Sequence, residues 1–309
     1  MPSLNHCIEE DVPAGLRLDR YAAEYLRMLS RSQIKARKLA GSINGKKAKL
    51  STPVKKGDVL ALSWDDAEIP ELVPEDRALD IIYEDEQVVV INKPQGMVVH
   101  PGAGNYRGTL ANALYFRQLN RGGFLPEGLR PGIVHRLDKD TSGVIIAAYN
   151  DSAHTFLSEQ FKSRTVKKTY AALVSGRVKN ALGRIETFIA RDPRNRKLFA
   201  VRERGKTAIT LYRLIKTWDS HSLLLLRPRT GRTHQLRVHM RHLGHAIIGD
   251  ALYGSRDLLF PHAPLMLHAK SLEITLPGGE RRKFSSPLPE RFREMIRKLN
   301  KLNGKNADE

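Results

Sequence analysis

Two rhythms of apolar residues divide this chain. Near the N-terminus Leu18, Tyr21, Ala22, Tyr25, Leu26 and Leu29 recur at three- and four-residue spacing, which predicts a helix with one buried stripe. Ser30-Arg31-Ser32-Gln33 then has the form of a capping box and opens a second, short helix that ends at Gly41 as its C-terminal cap. Asn44-Gly45 is a hairpin turn signal, and Lys55-Lys56-Gly57-Asp58 leads into a strand at Val59-Leu60-Ala61-Leu62. From Leu79 onward the apolar runs are short and strand-like: 88–91, 143–148, 170–174, 223–226 and 265–267. Helical stretches at 153–161 and 233–242 fall between some of them. This order predicts an α+β protein with a strand-rich large domain built on a mixed, largely antiparallel sheet.

The same pattern sets boundaries. Residues 1–15 read as an N-terminal extension, 16–63 as a small α+β unit and 64–78 as a linker. The large domain runs over 79–302, and 303–309 is a frayed polar tail. The linker holds Asp65, Asp66, Glu68, Glu71, Glu75 and Asp76 with Pro70 and Pro74 and has no apolar period, so it is expected to be extended and flexible.

Charge changes the picture more than composition does. Across 309 residues, 52 Lys and Arg against 33 Asp and Glu give a formal charge of +19. Such a field draws polyanions, so RNA or DNA is the expected partner ahead of an anionic membrane surface. Arg31, Lys35 and Lys38 recur on one face of the second predicted helix, and Lys46 and Lys47 flank the hairpin turn, which together make a phosphate-binding surface. No window approaches eighteen consecutive apolar residues, and the N-terminus lacks the pattern of a secretory signal. A lone cysteine, Cys7, fits a reducing cytoplasm. No long exposed apolar stripe calls for a second copy, so a monomer is expected.

One stretch carries chemistry. His135-Arg136-Leu137-Asp138-Lys139-Asp140-Thr141-Ser142-Gly143 lies between a loop, Leu129-Arg130-Pro131-Gly132, and the apolar run 144–148. A carboxylate set among basic neighbours at the mouth of a sheet is not there for packing. This nonapeptide resembles the catalytic signature of the RluA-type pseudouridine synthases. Three further segments resemble that family in the same order: 79–86 leading to Asn92-Lys93-Pro94-Gln95-Gly96, then Lys168-Thr169-Tyr170-Ala171, then 230–239 continuing to Gly249-Asp250-Ala251-Leu252-Tyr253-Gly254. Residues 17–26, 30–41, 42–47 and 54–60 resemble the S4 RNA-binding domain, and this two-part layout is similar to family members that act on large-subunit ribosomal RNA.

The resemblance implies an isomerase that converts uridine to pseudouridine, with Asp138 as the essential carboxylate. It implies Arg232 as the ion-pair partner of Asp138, and Tyr170 as the ring that stacks on the flipped uracil. His135, Arg136, Arg229 and Arg237 are candidates for holding the displaced strand through its phosphates. The reaction needs neither redox nor metal chemistry, so no cofactor and no metal are expected. His234, His239, His242 and His245 are crowded, yet they lack metal-ligand spacing. Gly102, Gly104 and Gly108 do not have dinucleotide-binding spacing. The expected substrate is ribosomal RNA or a pre-ribosomal particle. The rival readings are a transfer RNA enzyme and a non-catalytic assembly factor that binds RNA.

Overall fold

The computed structural model describes residues 2–26, 28, 29, 33, 34, 37–65, 72–102, 104–122, 131–195 and 198–305. It divides into two compact units, Met1–Glu71 and Leu72–Glu309.

In the first unit a four-stranded antiparallel sheet has the order β1-β4-β2-β3, with β1 Ser3–Cys7, β2 Ala40–Ile43, β3 Lys46–Ala48 and β4 Val59–Ser63. Helix α1, Leu18–Glu24, lays Leu18, Tyr21 and Ala22 onto Ile8, Leu60 and Leu62 of the core. The helix is shorter than its stripe predicts, because Leu26 N–H bonds back to Tyr21 C=O at 3.1 Å and breaks the regular ladder. Residues 1–15 are no loose extension. They supply β1, whose partner is β4, and Cys7 sits exposed on that strand. Gly41 belongs to β2 rather than to a helix cap. A Cβ there would lie 2.7 Å from the Leu62 side chain, so what the site demands is close packing. Lys38, at φ +48°, precedes β2. Asn44 and Gly45 both take positive φ and close the β2–β3 hairpin.

The second unit is built on one ten-stranded sheet. Its elements in chain order are β5 Ile81–Glu84, β6 Val88–Lys93, α2 Leu110–Asn120, β7 Ser142–Ala148, α3 Asp151–Lys162, β8 Lys167–Ser175, β9 Leu182–Arg191, β10 Phe199–Arg202, β11 Lys206–Thr217, β12 His221–Pro228, α4 Gln235–His242, β13 Leu267–Thr275, β14 Arg281–Ser285 and α5 Glu290–Lys305. Strand order is β10-β9-β11-β12-β8-β13-β7-β6-β5, with β14 on β13. The β13–β7 contact is parallel and the other pairings among these strands are antiparallel. The α+β class and the mixed, mostly antiparallel sheet follow directly.

Strand β7 shows why the centre of this sheet holds. Its period of two sends Val144, Ile146 and Ala148 towards Ala153 and Leu157 of α3, and Ile145 and Ala147 towards Leu110 and Leu114 of α2. Both faces are therefore apolar, and each large side chain so buried contributes roughly 1.5–3 kcal/mol. Gly143, at φ +112°, is the second residue of this strand, where it meets β13. A Cβ there would sit 2.2 Å from Ala269 O, so no other residue fits. On the other half of the sheet, β8 and β12 pack against α4 and α5 through Leu173, Leu224, Leu236, Met240, Phe292, Met295 and Leu299.

Residues 72–78 are not a free linker. Leu72 packs on the core beside α2, and Asn112 Nδ2 donates to Val73 O at 2.8 Å. The Glu75 carboxylate accepts Gly108 N–H at 3.0 Å, just ahead of α2. Residues 66–71, the acidic centre of the predicted linker, lie outside the described residues.

Candidate active site

Asp138 sits in the loop that leads into β7. Thr141 N–H bonds back to Asp138 O at 3.1 Å, which makes 138–141 a tight turn. The turn is fastened from behind by the end of β6. Lys93, fully buried, donates its ammonium to Pro94 O and Met97 O at 2.8 Å and to Lys139 O at 3.1 Å. Burial pushes its pKa down to about 8, against the pull of Asp140 and Asp138. Gly96 N–H also bonds Lys139 O at 2.9 Å, and Gln95 Nε2 reaches Asp140 O at 3.0 Å.

So placed, the Asp138 carboxylate is 24% exposed and stands between two hollows. One is a cleft of about 440 Å³ walled by β8, the end of β12, the turn before α4 and the C-terminal turn of α3. The other, about 860 Å³, opens past Gln95, Lys139, Asp250 and Leu252. Arg136, Asp138, His234 and Arg237 line both.

The arginine against Asp138 is Arg237. Its Nη1 lies 3.4 Å from Asp138 Oδ2, while Nε and Nη2 each donate at 2.7 Å to the two oxygens of Asp250. Asp250 is wholly buried and also accepts Leu252 N–H and Tyr253 N–H at 3.0 Å. Burial opposes the Arg237 charge, but Asp250 and then Asp138 outweigh it, so the guanidinium titrates above its ordinary value. A bidentate clamp on one side fixes the direction in which the third N–H points.

Arg232 does not make that contact. It lines the cleft, but its Nε is used on Thr207 O at 2.9 Å and its N–H on Gln235 Oε1 at 3.0 Å. The reason is local. Arg232 lies in the turn before α4, tied to the backbone of β11, whereas Arg237 is in the helix and faces Asp250. The expected Arg232–Asp138 pair is therefore replaced by Arg237–Asp138, and Arg237, expected to hold phosphates, has its guanidinium engaged by carboxylates instead.

His234 adds a second neighbour, with Nε2 at 3.9 Å from Asp138 Oδ2. It adopts φ +54°, a left-handed conformation uncommon outside glycine. Tyr253 OH lies 2.8 Å from His234 Nδ1 and already accepts Phe199 N–H at 2.9 Å. Burial lowers the His234 pKa, with Asp138 pulling the other way.

Tyr170 stands on β8, opposite Leu226 of β12 and Ala269 of β13, and lines the cleft with Asp138. Burial first, and then the charge of Asp138, push its phenol above the ordinary range. His135 lines the same cleft but is no cation. It accepts Ile146 N–H on Nε2 at 3.1 Å, stacks on Phe161 at 4.4 Å, and burial drives its pKa down to about 3. Its expected role on phosphates gives way to that of a pin between β7 and α3. Arg136 and Arg229 are exposed on the cleft.

In the first unit, Lys46 and Lys47 are exposed on β3, and Lys38 pairs with Asp65 at 3.2 Å. Arg31 and Lys35 lie outside the described residues. Among the described residues no group of three or more His, Cys, Asp or Glu could hold a metal ion, and no helix is long and apolar enough to cross a membrane. Lys93, His234, Asp250 and Tyr253 had no role in the sequence reading. Their signal was present in Asn92-Lys93-Pro94 and Gly249-Asp250, segments matched without a function.

A family model described as RNA pseudouridylate synthase matches residues 87–242. The chain is 46% identical over 286 residues to "Ribosomal large subunit pseudouridine synthase D" of Borreliella burgdorferi, covering 90% of this chain and 88% of that protein. It is 38% identical over 322 residues to a protein of the same name in Xanthomonas campestris, covering 99% and 96%. Among solved structures, human RNA Pseudouridylate Synthase Domain Containing 4 superposes with a TM-score of 0.58 at 26% identity, covering 72% of this chain and 93% of that one. Human RNA Pseudouridylate Synthase Domain Containing 1 gives 0.57 at 27%, covering 73% and 96%. The chain therefore belongs to the RNA pseudouridine synthase family and is an isomerase of uridine in RNA.

Proposed function

We propose that this enzyme isomerises uridines of large-subunit ribosomal RNA, and that Asp138 is the carboxylate that does it. The observation that carries the assignment is the setting of Asp138, a part-buried acid at the junction of two hollows, with a clamped arginine at 3.4 Å and Tyr170 in the same wall. The reaction breaks the bond from C1′ to N1, turns the base and joins C1′ to C5. The C5 hydrogen then leaves as a proton and N1 gains one, so atoms balance without oxidant or reductant. A carboxylate serves this either by adding covalently to ribose or base, or by taking a sugar proton to give a glycal-like intermediate. Both routes need it held in one direction, which Arg237 and Asp250 provide.

The target uridine is swung out of folded RNA into the cleft. Tyr170 stacks on it, and the phenol assists loss of the C5 proton. Arg136, Arg229 and Arg232 hold the displaced strand by its phosphates, and Lys46 and Lys47 of the S4-like unit add affinity through phosphates. The ribosomal substrate is supported by the names of the relatives from Borreliella and Xanthomonas, which align over nearly the whole chain. The enzyme acts in the cytoplasm, as a monomer on its RNA.

The test is pseudouridine mapping of ribosomal and transfer RNA from cells lacking the protein, rescued with wild type or Asp138→Asn. Ribosomal sites that vanish and return only with wild type are the expected result. Full restoration by Asp138→Asn defeats the catalytic assignment. Loss confined to transfer RNA moves the substrate there, and persistence of every site favours an assembly factor.

A further inference from the structure

Beside the catalytic cleft, and continuous with it across Lys168, Pro228 and Arg229, lies a groove of about 370 Å³ between β8, β12 and β14. Arg164, Lys168, Arg227, Arg229 and Lys283 line it, and none of the five forms an ion pair among the described residues. The carboxylate in its wall, Glu273, is already engaged by Lys167 and Arg281, each at 2.9 Å. The groove thus carries positive charge that nothing of its own neutralises.

Two of its cations are held in ways that packing does not require. Arg164 follows the C-cap of α3 at φ +62°, where Thr165 N–H bonds Gln160 O at 3.1 Å. This is the left-handed slot that glycine ordinarily fills. A strained backbone kept at an exposed arginine points to use of its side chain. Lys168 is half-buried beside Phe161, its ammonium 6.0 Å from the ring, and burial lowers its pKa. A cation kept partly out of water without an anion is poised to receive one.

We infer that this groove binds the phosphates of the RNA strand flanking the target uridine and leads the backbone out of the catalytic cleft. A phosphodiester chain suits it because the cations follow one another along a channel that starts where the base is held. The inference rests on the reading that RNA enters the cleft at Asp138.

Arg227 and Lys283 line the groove and not the cleft. A double variant, Arg227→Gln with Lys283→Gln, is to be compared with wild type on protein-free large-subunit ribosomal RNA. The control is Lys298→Gln with Lys301→Gln, which removes the same charge from exposed positions on α5. Two lost single-strand phosphate contacts lower the slope of log Kd against log salt by about 1.4, or about 25-fold in Kd at 0.1 M salt relative to 1 M. KM rises by a similar factor while kcat changes less than about twofold. An unchanged slope in the double variant, or an equal fall in the control, overturns the groove. Wild-type protein that binds this RNA but forms no pseudouridine in it overturns the substrate reading instead, and the slope comparison still decides the groove.

Discussion

Replacing Arg237 by lysine keeps the charge and removes the fork. The guanidinium uses three N–H directions at once, two on Asp250 at 2.7 Å and one on Asp138 at 3.4 Å. An ammonium at the end of a flexible stem cannot reproduce that planar arrangement, and it keeps one of these contacts while losing two. Hydrogen bonds to charged groups are each worth about 1.5–3 kcal/mol, so the two lost bonds amount to at least about 3 kcal/mol. If half or more of that appears in the transition state, kcat falls by roughly 10- to 100-fold or more, at 1.36 kcal/mol per decade. The remainder appears as lowered unfolding free energy, since Asp250 is left buried with a poorer partner. Single-turnover release of tritium from C5-labelled uridine in RNA measures the first quantity, and urea unfolding the second. Arg232→Lys is the companion. Among the described residues its side chain holds only Thr207 O, so its effect falls on KM. An Arg237→Lys enzyme that is folded and turns over within threefold of wild type, or an Arg232→Lys enzyme with the larger loss in kcat, refutes the pairing.

Tyr170→Phe keeps the ring and removes the phenol, so substrate binding is preserved while kcat drops by about 10²-fold or more, read in the same tritium assay. An unchanged kcat restricts Tyr170 to stacking. His239 and His268 are buried with pKa values pushed down to about 4 from 6.5. The unfolded chain takes up protons first as pH falls, so stability declines from pH 6.5 to about 4 by about 3 kcal/mol per histidine and levels off below. Urea unfolding of His268→Asn across that range is expected to show a shallower acid slope. Lys93, lowered to about 8 from 10.5, acts in the same sense at higher pH. Between pH 8 and 10.5 the unfolded state holds the extra proton, so stability relative to Lys93→Met rises by up to about 3 kcal/mol across this window.

The sequence announced β7 because both its faces are buried and the apolar run is unbroken. It announced the Asp138 loop because chemistry-bearing residues crowd nine positions. It was silent on β1, whose residues alternate between exposed and half-exposed and carry no apolar stripe. Strands β9 and β11 escaped notice for a related reason. Ile185 and Ile189, and Ala208 and Tyr212, face the core at every second or fourth position, while Arg184, Glu186 and Arg213 dilute the pattern between them. The same dilution hid α5, where Phe292, Met295 and Leu299 are set among arginines and lysines. The choice between Arg232 and Arg237 lay beyond any local reading. It depends on where α4 begins and on Asp250, a residue that reaches the site only through the fold.

The turn that presents Asp138 is gripped by its peptide oxygens. Lys93 and Gly96 hold the carbonyl of residue 139, Gln95 that of residue 140, and Thr141 that of residue 138 itself. Every residue type carries a carbonyl, so these hydrogen bonds call for no particular side chain at 139 or 140, though the charge of Asp140 also favours the Lys93 ammonium. The side chains of Lys139 and Asp140 point outward at the rim of the larger hollow, exposed. A lineage can therefore rewrite those two positions to suit a different RNA contour while the carboxylate stays where it is. Placement of the reacting group and choice of target are separate inheritances in this loop, and the second can drift while the first stands still.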